Sequence, residues 1–157
     1  MPNPTAVTLY TRADCPLCDK AKAAIVASKA AVTLTEVDID ADPILHGLYT
    51  NDVPVIHVEG QEAFRHRVDP AAFAEYVAAI QGGWRIVDGH HLEKEWTFPD
   101  FATALAFTNR VGAIAEALDH HPDIRLSWGR VGITTWSHDT GGLTRRDFRL
   151  AARIDSQ

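Results

Sequence analysis

The 157-residue sequence predicts two domains of different class: an α/β unit, then an α+β unit whose antiparallel four-stranded sheet carries helices on one face. Three observations carry that prediction. Both cysteines, Cys15 and Cys18, precede residue 20, whereas all four tryptophans, Trp84, Trp96, Trp128 and Trp136, follow residue 83. Charge divides too: six basic residues face eleven acidic through Gly83, and nine face ten from Trp84 onward. At the change stands Gln81-Gly82-Gly83, where a glycine pair after a periodic apolar segment stops a helix and loosens the joint, since glycine takes positive φ without steric cost. The expected domains are residues 1–81 and 84–157.

In the first half, Val7 to Thr11 reads as a strand, Pro16 opens a helix running to about Ala30, and Leu34 to Ile39 reads as a second strand, which together make a βαβ unit. A short helix over Pro43 to Tyr49 follows. Val53 to Val58 forms a strand containing Pro54, its hairpin partner lies near Ala63 to Val68, and a helix spans about Pro70 to Ile80.

In the second half, Arg85-Ile86-Val87 and Leu92 to Phe98 read as strands around the turn Asp88-Gly89. Pro99 to Leu118 reads as a helix presenting Phe101, Leu105, Thr108, Gly112, Ala115 and Leu118 on one face. Strands over about Arg125 to Val131 and Ile133 to Ser137 come next. The last helix opens at Thr144, with Asp147 in the capping-box position and Leu150, Ala151 and Ile154 facing inward. His90-His91 read as exposed turn residues.

Composition narrows the function. A hydrophobic share of 46% with 23% charged residues belongs to an ordinary globular protein able to bury a core. The net charge of −6 is poorly suited to neutralising phosphates, so nucleic acid is not an expected partner. No apolar run approaches the roughly 20 residues of a spanning helix, so no membrane partner is expected either. Met1 to Thr5 lack a basic segment followed by an apolar run, so no secretory signal is expected and the cytoplasm is the default location.

Cys15-Pro16-Leu17-Cys18 stands between the first strand and the first helix. There, exposed backbone N–H groups and the helix dipole stabilise a Cys15 thiolate able to attack disulfides, and Cys18, one turn on, can displace the mixed disulfide. Half a zinc site or two inert thiols are the alternatives; His46, His57 and His66 are too scattered to supply the missing zinc ligands. The run VTLYTRADCPLCDKAKAAI, followed by Asp52-Val53-Pro54-Val55-Ile56, resembles a glutaredoxin-like domain of thioredoxin-like fold over about residues 5–81. The resemblance implies a cis Pro54 packed beside the cysteine pair and a thiol or disulfide protein partner. Glutathione-binding members usually carry a Gly-rich turn with an acidic pair before the last helix, where this chain has Arg67-Val68-Asp69-Pro70.

The second constellation is Glu116, Asp119-His120-His121-Pro122, Trp128 and Ser137-His138-Asp139. Pro122 pushes His121 out of helical conformation, so the two neighbouring imidazoles are re-aimed at a helix end. The strand ending at His138 pairs back toward that turn. Histidine suits a reaction that gives one proton and removes another near neutral pH. A zinc site of His120, His121 and His138 is disfavoured because adjacent ligands fit one ion awkwardly, so no metal is expected. From Trp84 to Ile154 the sequence strongly resembles pterin-4a-carbinolamine dehydratase, on the segments DFATALAFTNRVGAIAEALDHHP, WGRVGITTWSHD and GGLTRRDFRLAARI. The signature positions of that family are met by Glu116, His120, His121, Pro122, Trp128, His138 and Asp147. The resemblance implies that His120, His121 and His138 form the catalytic cluster, and that His120 to Pro122 with Ser137, His138 and Asp139 line a pterin pocket. It also implies dehydration of a 4a-hydroxytetrahydropterin without metal or organic cofactor, and assembly as a homo-dimer or tetramer. A non-catalytic dimerising adaptor, and a dehydratase regulated by a Cys15/Cys18 thiol switch, are the competing readings.

Overall fold

The computed structural model describes residues 3–157, so the reading of the first five residues as leaderless falls partly outside the described residues. The chain divides into two compact units, Met1–Val77 and Ala78–Gln157. The division falls inside a helix whose last turn belongs to the second unit, where the N–H groups of Gly82 and Trp84 donate back to the carbonyls of Ala78 and Ala79.

The first unit runs β1 (Thr5–Thr11), α1 (Pro16–Ala27), β2 (Val32–Asp38), a 3-10 turn (Ile39–Ala41), α2 (Pro43–Tyr49), β3 (Val55–Val58), β4 (Gln61–Arg65) and the start of α3 (Pro70–Gln81). Its sheet has the order β2-β1-β3-β4, with β1 and β2 parallel and the other pairs antiparallel. Val7 and Leu9 of β1 and Val55, Ile56 and Val58 of β3 are buried with Ile25, Ile39, Phe73 and Val77. Helix α1 stops at Ala27, three residues before the expected end, because the Ser28 hydroxyl donates to the Ile25 carbonyl and Lys29 turns left-handed at φ 58°. Pro54 precedes β3 rather than lying within it. Its peptide bond is cis, and its carbonyl accepts the His66 N–H at 2.8 Å.

The second unit carries β5 (Arg85–Val87), β6 (His91–Thr97), α4 (Phe101–Leu118), β7 (Asp123–Ser127), β8 (Arg130–Thr135) and α5 (Arg145–Asp155). The antiparallel sheet has the order β5-β6-β8-β7. Val131, Ile133 and Thr135 of β8 are buried, while Arg130, Gly132 and Thr134 alternate onto the other face. Among the described residues, no helix is long and apolar enough to cross a membrane.

Three expectations are corrected here. The expected strands Arg125 to Val131 and Ile133 to Ser137 fall instead at Asp123–Ser127 and Arg130–Thr135, joined by Trp128-Gly129, and Gly132 sits inside β8 beneath the Arg125 guanidinium. Gly129 makes a close approach at that turn: its carbonyl accepts the Phe98 N–H at 2.8 Å, and an added Cβ would meet the Phe98 oxygen at 3.0 Å, a tight contact. Trp128 is therefore left 69% exposed at the hairpin tip. The buried face of α4 is Ala104, Phe107, Val111 and Ala115, with only Ala115 shared with the expected stripe; Phe101 and Leu105 are exposed. The helix begins after Asp100, whose carboxylate caps the Thr103 N–H, and Phe107 then stacks on Trp96 and Phe98, which fixes that phase. Finally, His90 and His91 are half-buried, since His90 packs on Trp136 with ring centroids 4.6 Å apart.

Candidate functional site

The histidine site is built on a buried carboxylate. Asp147 sits in the first turn of α5, where the capping box with Thr144 places it, and it is fully buried. Four donors converge on it: the His120 Nε2–H at 2.7 Å, the Thr135 hydroxyl at 2.7 Å, the Ser137 hydroxyl at 2.9 Å and the Thr144 backbone N–H at 3.0 Å. Ser137 and Thr144 also join through their hydroxyls at 2.7 Å. A carboxylate accepts and cannot donate, so its partner nitrogen on His120 must carry hydrogen, and the ring is fixed in orientation with Nδ1 as its other nitrogen. His120 is 8% exposed.

The turn that delivers His120 results from the helix end. Asp119 caps α4 in the left-handed region at φ 50°, and the His120 N–H donates to the Ala115 carbonyl at 3.1 Å. That reversal sends the next ring the other way. His121 is exposed, and its Nε2 lies 3.0 Å from Glu116 Oε1, itself exposed on the last turn of α4. Pro122 is half-buried and leads into β7.

His138 comes after β8. Strand alternation turns Thr135 and Ser137 toward the helices, and Trp136 and His138 away from them. His138 is exposed and packs on the indole of Trp136 with centroids 3.9 Å apart. Trp136 also packs on His90, whose Nδ1 lies 3.1 Å from that of His91. Asp139 is exposed and accepts from Arg146 Nη2 at 2.6 Å, which holds its carboxyl below the usual carboxylate range.

The expected site residues thus fall into two environments. His120 and Ser137 share one buried hydrogen-bond network, whereas His121, His138 and Asp139 stand at the surface, each with a separate partner. Among the described residues, no hydrogen bond or ring contact joins any two of His120, His121 and His138, and no group of three or more His, Cys, Asp or Glu is arranged to hold a metal ion. Sequence reasoning left Thr135, Thr144, Trp136 and His90 out of the site and gave Asp147 no contact. The available signal was Thr135 and Ser137, two polar residues at the inward positions of a strand, which call for a buried polar partner.

In the first unit, Cys15 is the N-cap of α1 and is bonded to Cys18 in a disulfide. The Cys18 N–H points at Cys15 Sγ at 3.2 Å. Cys15 is half-buried and Cys18 is buried, so Cys15 is the more accessible sulfur.

Comparison with known proteins finds two matching families, whose matched segments overlap over residues 66–78. Residues 66–157 match the family described as pterin 4 alpha carbinolamine dehydratase, and residues 6–78 match a glutaredoxin-like domain. A relative from Alkaliphilus metalliredigens, provisionally named pterin-4-alpha-carbinolamine dehydratase, is 44% identical over 82 residues, covering 52% of this chain and 74% of its own. One of the same name from Rubrobacter xylanophilus is 51% identical over 81 residues, covering 52% of this chain and 76% of its own. A fold of four antiparallel strands with helices, with a His-His-Pro turn joined to a buried aspartate, therefore has a family: the chain belongs to the pterin 4 alpha carbinolamine dehydratases and carries a glutaredoxin-like domain in its N-terminal part.

Proposed function

We propose that residues 84–157 remove water from a 4a-hydroxytetrahydropterin to give the quinonoid dihydropterin, with His120, His121 and His138 as the acid–base cluster. Hydroxide leaves poorly, so the C4a–O bond must break as an imidazolium protonates the departing oxygen. A neutral imidazole takes the N5 proton, and the C4a=N5 double bond forms. Proton givers and takers must reach the ligand, and His121 and His138 are the two exposed rings; His120, held by Asp147, orients the site. The observation that carries this reading is the buried network itself. It ties the His120–Pro122 turn to the end of β8, the strand that leads into His138.

His120, His121, Pro122, Ser137, His138 and Asp139 border the substrate in this reading, and the chemistry needs neither metal nor organic cofactor. Exposed Phe101 and Leu105 on α4 and Trp128 at the hairpin tip support a homo-oligomer, because apolar side chains of that size are commonly covered by a partner subunit. Residues 1–81 form a thiol–disulfide module acting in the cytoplasm on a protein partner. An accessible Cys15 at a helix N-terminus, a buried Cys18 one turn on, and Pro54 as the wall of the substrate groove support it.

The test is a dehydration assay on the full chain, with the cysteine pair reduced and oxidised, beside a variant lacking all three imidazoles (His120→Ala, His121→Ala, His138→Ala). Wild-type turnover in both redox states is expected, with a loss of at least about 10²-fold in the variant. A variant as fast as wild type removes the assignment. No turnover in either state makes the unit an adaptor, and turnover in one state alone makes the cysteine pair its switch.

A further inference from the structure

A groove of about 230 Å³ lies in the first unit between the N-terminal half of α1 and the loop that leads into α3, lined by Leu17, Lys20, Ala21, His66, Arg67 and Val68. Three of the six lining residues are basic types and none is acidic. That is unexpected in a half with eleven acidic residues against six basic. His66 is paired with Asp52, its Nε2 3.5 Å from Oδ1, and Asp52 also holds Arg65 at 3.0 Å, so Lys20 and Arg67 are the cations that the groove offers. Its place matters as much as its charge. Leu17 stands between the two cysteines and is exposed, Ala21 lies one turn beyond Cys18, and the loop is anchored by the His66 N–H on the Pro54 carbonyl.

We propose that this groove selects the disulfide partner of Cys15 by holding an acidic polypeptide segment beside the cysteine of that partner, with the apolar Leu17, Ala21 and Val68 taking the neighbouring side chain. The inference rests on the thiol–disulfide reading of the first unit. A carboxylate between Lys20 and Arg67 exchanges two separate hydrated cations for a shared counter-charge, and such contacts chiefly raise the rate of productive encounter. In the reaction, the reduced Cys15 thiolate attacks the partner disulfide and forms a Cys15–partner bond while the other partner sulfur leaves as a thiolate. Cys18 then attacks Cys15 Sγ, the partner thiolate leaves, and the Cys15–Cys18 disulfide closes. The two electrons come from the dithiol, which an external dithiol such as dithiothreitol restores.

The experiment uses the full chain, reduced with dithiothreitol and freed of it, and peptides of one length whose single cysteine carries a 2-thiopyridyl disulfide. The flanking residues are acidic, neutral or basic, glutathione carrying the same group is run in parallel, and release of 2-thiopyridone gives the rate. The expected order is acidic, neutral, basic, with the acidic peptide at least about tenfold faster than the neutral one at low salt and the gap narrowing as salt rises. In a Lys20→Glu/Arg67→Glu variant the acidic-to-neutral ratio falls to one or below; being a ratio within one protein, it is insensitive to any general change in Cys15 reactivity. Equal rates for all peptides, a ratio untouched by the variant, or a preference for glutathione over the acidic peptide would each overturn the proposal. No release above that of a Cys15→Ser variant sinks the redox reading itself, and the groove proposal with it.

Discussion

His120 and His121 are neighbours in the chain and opposites in the fold. One is buried and bonded to a carboxylate with no exposure; the other lies in solvent beside a carboxylate that is itself in solvent. The difference comes from a left-handed Asp119 and a following proline, which turn successive residues to opposite sides of a helix end. Under the proposed function, it gives the site a hydrogen-bonded wall and an open rim. The wall is His120, Thr135, Ser137, Thr144 and Asp147, in which every polar side chain has a partner; the rim is His121, His138 and Asp139, all exposed.

Substitutions in the wall should damage the fold and those in the rim should damage the chemistry. Asp147→Ala has the largest expected effect, because it strands donors from three elements; loss of about 3–5 kcal/mol in urea-induced unfolding, together with loss of dehydration, is expected. His138→Ala comes next and sharpens the contrast. Dehydration kcat should fall roughly 10²-fold while unfolding free energy changes by less than about 0.5 kcal/mol, read from the assay and the urea curve on one preparation. Trp136→Leu removes the ring on which His138 rests, a contact worth about 0.5–1.5 kcal/mol, and should lower kcat about tenfold with KM less affected, whereas Trp136→Phe recovers most of the rate. Glu116→Gln is the smallest: an exposed pair is worth about 0–1 kcal/mol, so stability should hold and turnover should stay within about threefold. A Glu116→Gln variant as damaged as Asp147→Ala would erase the distinction between wall and rim.

The parts of this arrangement that rest on local chemistry are legible in the sequence. Pro16 and Pro43 open helices, Thr144 with Asp147 caps α5, and Leu150, Ala151 and Ile154 face inward as their spacing requires. Cys15 at a helix mouth is of the same kind, since the motif and its setting lie within a few residues. Features that depend on tertiary packing are not. The α4 stripe of Phe101, Leu105 and Gly112 has helical periodicity, yet the aromatic cluster of Trp96, Phe98 and Phe107 selects a different face, and a run in which most positions are apolar leaves the phase open. Gly132 carries the usual signal of a turn, but the strand passes through it and the hairpin closes at Gly129, where the Phe98 carbonyl approaches closely. Asp147 belonged visibly to a cap. Its second role as acceptor for His120 and Thr135 needs the return of β8, which no local pattern encodes.

The most direct test of the wall-and-rim account is a titration of the full chain, with its histidine rings labelled with nitrogen-15, against a non-reacting dihydropterin. Saturable shifts at His121 and His138, and a smaller one at His120 with its Nε2–H still bonded to Asp147, are the predicted result. Saturation that moves other histidines, such as His46, His57 or His66, and leaves these three untouched would contradict it.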